Sequence, residues 1–177
     1  MSFLEQLKDI VGPSGWTTDA RDLEPHLTDW RGDFTGRTPI MVAPATTEEV
    51  SRGVRACAAA GVAVVPQGGN TGLCAGAVPD ESGDQVLLSL SRMNRIRATD
   101  PDNFSMDVEA GCVLAKIQEA AAAVQRIFPL SLGAEGSCQI GGNLATNAGG
   151  VNVIRYGTAR ALVLGLEVVL ADGSVLN

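Results

Sequence analysis

The chain has 177 residues, 45% of them apolar and 19% charged, enough to bury the core of one ordinary domain or two small ones. A balance of 13 basic to 20 acidic residues, net charge −7, is the opposite of the footprint a phosphate-backbone binder needs and excludes nucleic acid as a partner. Four dispersed cysteines without a CxxC pair and a single histidine, His26, exclude a metal site of ordinary spacing. No apolar run approaches the roughly 18 residues of a membrane span.

In chain order, Phe3, Leu4, Leu7, Ile10 and Val11 fall at helical spacing and predict a short amphipathic helix ended by Gly12 and Pro13. The stretch to Arg37 is polar and turn-rich, so residues 1–38 read as a helical and irregular wrapper. Ile40 to Ala43 is a short apolar strand. Thr46 with Glu49 three residues on forms a capping box opening a helix that Gly61 closes. Val50, Val54, Cys57 and Ala58 form its apolar face, and Val62 to Val65 then reads as a buried strand, giving a strand, helix, strand unit of the parallel kind. Val86 to Leu90 is another buried strand. Phe104, Met106 and Val108 alternate with polar residues as a half-exposed strand does, after a turn at Asp100 to Asn103. Residues 113–126 predict a helix with Val113, Leu114, Ile117, Ala121 and Val124 inward. Leu162 to Leu170 predicts a strand that turns at Asp172-Gly173 into a second, Ser174 to Asn177.

Two glycine-rich segments stand apart from this pattern. The first, PQGGNTGLCAGAVP from Pro66 to Pro79, follows a predicted strand. Its small residues let successive N–H groups converge into a nest for a phosphate, each charge-assisted bond contributing on the order of 1.5 to 3 kcal/mol. The second, GAEGSCQIGGNLATNAGG from Gly133 to Gly150, offers both amides and side-chain carbonyls, which suits a ring edge as well as a diphosphate. One such segment could be a flexible surface loop. Two, both poor in charged residues, favour a shared ligand. Neither is a GxGxxG after a strand nor a GxxxxGK[ST], so the Rossmann and Walker modes are excluded.

These residues carry a resemblance. PQGGNTGL, GSCQIGGNLATNAGG and RYGTARALVLGLEVVLADG resemble the FAD-binding domain of the vanillyl-alcohol oxidase and p-cresol methylhydroxylase (PCMH-type) superfamily. Within it they are most similar to D-2-hydroxyglutarate dehydrogenase, D-lactate dehydrogenase and the FAD subunit of glycolate oxidase. The LGLEVVLADG stretch argues against the related reductases of cell-wall precursor synthesis. The resemblance implies an α+β, PCMH-type FAD-binding fold of two α/β subdomains, a small strand-helix-strand unit and then a larger mixed sheet, over residues 39–177. It implies FAD as cofactor, with Gln67, Gly68, Gly69, Asn70, Thr71, Gly72 and Leu73 at the diphosphate. Gly136, Ser137, Ile140, Gly141, Gly142, Thr146, Asn147, Gly149 and Gly150 come near the flavin, with Tyr156 and Gly157 beside them.

The family reaction oxidises a 2-hydroxy acid of the 2-hydroxyglutarate, lactate or glycolate class. The Cα hydride passes to the flavin, a base takes the hydroxyl proton and cations hold the carboxylate. The family continues through a substrate domain with a histidine-rich metal motif that is absent from these residues. The expectation is therefore a C-terminally truncated and catalytically incomplete chain, which takes its small substrate only with a substrate domain and leaves room for a homodimer. The alternative is a flavin-binding or assembly module without turnover. No base is named, and Arg31, Arg155 and Arg160 stand as ordinary solvated arginines. The start, MSFLEQLKDIVGPSGW, carries acidic residues and no continuous apolar core, so a cytoplasmic protein with free thiols is expected.

Overall fold

The computed structural model describes Ser2–Asn177 and divides into two compact units, one of residues up to Arg92 together with Gly165–Asn177, the other Met93–Leu164. Each has its own apolar core.

In the first unit, helix α1 (Phe3–Val11) is capped by Ser2, whose side chain accepts from the Glu5 amide. It buries Leu7, Ile10 and Val11, which pack with Ile40, Val42 and Val86 in the core of this unit. Strand β1 (Trp16–Thr17) and the single turn α2 (Ala20–Leu23) follow. Next come β2 (Met41–Val42), α3 (Thr47–Ala60), β3 (Val64–Gln67) and β4 (Val86–Ser89). The sheet order is β1-β2-β4-β3, with β4 parallel to both β2 and β3 and β1 antiparallel at one edge.

The capping box forms with a shift of one residue. Thr46 Oγ1 accepts from the Glu49 amide at 3.1 Å, and the Glu49 carboxylate accepts from the Ala45 amide at 2.8 Å. The buried face of α3 consists of Ser51, Gly53, Ala56 and Cys57. The expected Ala58 points outward, because a run of small residues gives the apolar periodicity little contrast to read. β4 is buried at every position, as a central parallel strand should be.

The second unit contains the antiparallel pair β5 (Ile96–Asp100) and β6 (Ser105–Val108), helix α4 (Leu114–Ala123) and two short helices, α5 (Ile140–Ala145) and α6 (Val153–Tyr156). Its core joins Leu114, Ile117, Leu130, Cys138 and Ile140. Immediately after β6, Glu109 has a fully buried side chain. Its Oε1 accepts from Arg95 Nε and Nη2 at 3.0 and 2.7 Å, and its Oε2 accepts from the Arg95 amide at 2.9 Å.

The C-terminal residues differ from the expected long strand. Ala159–Leu162 is a 3-10 turn, and only Val168–Val169 (β7) pairs, with Val175–Leu176 (β8). A strand exists only where a partner lies alongside, and the apolar residues from Val163 to Leu166 have none, with Leu164 85% exposed. The hairpin turn rests on α3, where Ser51 Oγ and Arg55 Nη2 donate to the Gly173 carbonyl. Among the described residues no helix is long and apolar enough to cross a membrane, and no group of three or more His, Cys, Asp or Glu could hold a metal ion.

Candidate cofactor-binding segments

The first glycine-rich segment leaves the end of β3 in the first unit and forms an irregular loop. Among the described residues, no main-chain amide from Gly68 through Ala77 donates to a protein acceptor. Unpaired amides would be costly if buried, yet these residues are half-buried or exposed. The loop thus presents a run of donors to solvent, and an added Cβ at Gly72 or Gly76 would meet nothing within 4 Å. Such a cradle accepts an anion with several oxygens.

Side chains hold this loop. Gln67 is 1% exposed; its Nε2 donates to the carbonyls of His26 at 2.9 Å and Ala77 at 2.8 Å. The Gln67 side chain is therefore inside, closing the loop's two ends, and its carbonyl accepts from the Leu90 amide at 3.1 Å. Asn70 takes a positive φ of 50° and donates through Nδ2 to the Thr28 carbonyl at 2.8 Å. Leu73 and Cys74 are exposed. The far side of the loop borders a cleft of about 430 Å³ walled by Phe34, Val65, Pro66 and Val78 and rimmed by Asp80 and Glu81. Hydrogen bonds from Ser82 hold the Asp80 carboxyl below the ordinary carboxylate range. A phosphate would be repelled from that rim, so the stretch Gly68–Gly72 is the electrostatically suitable part.

The second segment, in the other unit, is mostly folded on itself. Residues 140–145, read from sequence as loop, form α5. Gly141 donates to the Ala110 carbonyl at 2.8 Å, and a Cβ there would lie 2.9 Å from the Ala110 Cβ. Gly150 has φ +72°, and a Cβ there would lie 2.1 Å from the Ser131 carbonyl oxygen. Ile140 is in the core, 4% exposed. Asn147 accepts through Oδ1 from the Arg160 amide, and the Thr146 hydroxyl donates back to the Gly142 carbonyl. Gly136 and Gly142 face open space. Ser137 is exposed, Tyr156 is 36% exposed beside Arg155, and Gly157 ends α6.

Two polar side chains in this segment escaped the sequence reading. Gln139 Oε1 and Asn143 Oδ1 are buried without a hydrogen-bond partner. They stand four residues apart at the start of α5, and only their position in an otherwise apolar helix could have marked them. Burial pushes the neighbouring Cys138 thiol up, a shift the Asn143 side chain partly offsets. Taken singly, the unpaired donors of the first segment suit an anionic linker, and the open faces of Gly136 and Gly142 in the second suit close approach of a ring edge. On those observations the residues fit FAD.

Comparison with known proteins agrees. A family model described as FAD binding domain matches residues 38–177. A probable mitochondrial D-2-hydroxyglutarate dehydrogenase of Oryza sativa subsp. indica is 46% identical over 96% of this chain. The mitochondrial D-2-hydroxyglutarate dehydrogenase of Bos taurus is 46% identical over 98%. The chain spans 30% and 31% of the length of these two relatives. In structure it is similar to an alkyldihydroxyacetonephosphate synthase, with TM-score 0.86 at 21% identity, covering 98% of this chain and 33% of that one. The relatives correct one expectation, since both are mitochondrial by name and a cytoplasmic location does not follow.

Proposed function

The chain belongs to the FAD binding domain family, and on that premise we propose that it forms the cofactor-holding part of a dehydrogenase that oxidises a D-2-hydroxy acid. The observation that carries this reading is the run of unpaired amides from Gly68 through Ala77, within a sequence 46% identical to D-2-hydroxyglutarate dehydrogenases across nearly its whole length. Bound FAD supplies the hydride acceptor.

The chain's own residues bind and orient. Amides of Gly68, Gly69, Asn70, Thr71 and Gly72 take the diphosphate, with the Thr71 hydroxyl and the exposed Leu73 beside it. Gly136, Ser137, Gly142, Thr146, Asn147, Gly149 and Gly150 present main chain and short side chains to the flavin. Ile140 and Gly141 shape that surface from beneath, and Tyr156 and Gly157 border it. Residues 39–177 constitute this FAD-binding domain, with residues 1–38 supporting it. The Nδ1 of His26 faces the Gln67 side-chain oxygen, and no base is assigned among these residues.

Purified protein should be yellow, with flavin absorbance released on denaturation. Gly69→Val and Gly142→Val should both bleach it by obstructing main-chain approach. A colourless wild-type protein that takes up no added FAD overturns the reading.

A further inference from the structure

The first glycine-rich segment has no main-chain hydrogen bonds of its own from Gly68 through Ala77 on the donor side, so its shape must come from elsewhere. The side chain of Gln67 supplies it. The Gln67 carboxamide is 1% exposed and engages both of its ends: Nε2 donates to His26 O and Ala77 O, while Oε1 faces His26 Nδ1 at 2.5 Å. The orientation is unambiguous, since a flipped amide would set its oxygen against two carbonyls. Gln67 Oε1 can only accept, so His26 must carry its proton on Nδ1.

The chain around His26 is itself fixed. Leu27 O accepts from the Gly36 amide at 2.9 Å, and the Arg37 amide donates to Asp80 O at 2.8 Å. Thr28 pairs with Thr35 across a small hairpin, and Thr28 O receives Asn70 Nδ2. The segment from His26 to Thr28 is thus a platform to which the loop is tied at its start by Gln67 and at its turn by Asn70, while Gln67 also holds the loop's end at Ala77.

We propose that His26 is a positioning residue for the FAD diphosphate loop, acting through Gln67: by donating from Nδ1 it fixes the carboxamide whose other end holds the loop closed. This rests on the preceding reading that the loop receives the FAD diphosphate. The requirement is for a donor at the δ position and not for an imidazole.

Asparagine places Nδ2 at the same distance along the side chain as histidine Nδ1, whereas glutamine moves its donor one bond further out. Titrating the FAD-free chain with FAD, His26→Asn should bind as wild type does. His26→Ala and His26→Gln should each bind roughly tenfold more weakly, the effect of leaving the buried Gln67 oxygen without its donor. His26→Asn should unfold at the wild-type temperature, and His26→Ala and His26→Gln a few degrees below it, so binding is compared well below any unfolding. Wild-type affinity in His26→Ala, or equal weakening in His26→Asn and His26→Gln, overturns the proposal.

Two measurements do not need FAD. Chymotrypsin should cut after the exposed Leu73 several-fold faster in His26→Ala than in wild type or His26→Asn, and nitrogen-15 spectra should show His26 protonated on Nδ1. Unchanged cleavage or an Nε2–H tautomer overturns the clasp. A wild-type chain that binds no FAD but shows both signatures sinks the functional reading and leaves the clasp standing.

Discussion

The two glycine-rich segments share a composition and differ in what holds them. From Gly68 through Ala77 the amides bind nothing in the protein, and the loop is shaped from outside by Gln67 and Asn70. From residue 133 to 150 the chain coils into α5 and satisfies many of its own amides. There Gly141 and Gly150 bring main chain against main chain, at Ala110 and Ser131. Glycine in the first segment leaves donors exposed, and in the second it permits close packing. The same residue type therefore has opposite consequences for stability and for ligand binding.

The largest effect expected from this contrast is at Gly150. Alanine there must adopt φ +72° and place its methyl 2.1 Å from the Ser131 oxygen, so the backbone must move. The cost should be about 3 kcal/mol or more, seen as a lower urea midpoint with unchanged slope. A midpoint equal to that of wild type would mean that close packing does not hold the second segment.

A smaller effect is expected at Glu109, next to the Ala110 and Cys112 carbonyls that receive the Gly141 and Ile140 amides. Hydrogen bonds from Arg95 hold its carboxyl below the ordinary glutamate range. A lowered folded-state pKa stabilises the fold above the unfolded value and loses that contribution as pH falls through the folded one. Glu109→Gln should cost about 1–2 kcal/mol at pH 7, the low end of the charge-assisted range because Arg95 is 67% exposed. The gap between the two proteins should close as pH falls below about 4.3. A gap that persists undiminished at pH 3 would assign the loss to packing.

The sequence was most informative where local chemistry decides structure. Thr46, Glu49 and Gly61 marked both ends of α3, and the apolar run at Val86 marked a strand buried at every position. The two glycine-rich segments and their family resemblance identified the cofactor before any coordinates. What remained hidden depends on contacts between distant residues. Nothing in Pro25-His26-Leu27 signals that its imidazole meets Gln67, 41 positions away. The helix within IGGNLA is masked by two glycines of low helix propensity, because its seat on Ala110 overrides propensity. The strand expected from Leu162 to Leu170 shrank to Val168–Val169 because pairing, not residue preference, determines where a strand exists.

The smallest stability change and the clearest separation of the two segments are expected at Gly72. Its φ lies outside the left-handed region and an added Cβ meets nothing within 4 Å, so Gly72→Ala should leave stability within about 0.5 kcal/mol of wild type. If the open face is where the diphosphate lies, the same methyl occupies ligand space and FAD affinity should fall. Cys74, two residues on, provides a direct readout. It is exposed, whereas Cys57, Cys112 and Cys138 are buried, and burial pushes Cys57 up to about 11. At pH 8 one thiol should therefore react rapidly with a disulfide reagent. Saturating FAD should slow that reaction in wild type and do so only at higher FAD concentration in Gly72→Ala. Equal protection in both proteins at every FAD concentration would remove Gly72 from the cradle and move the diphosphate elsewhere along the loop.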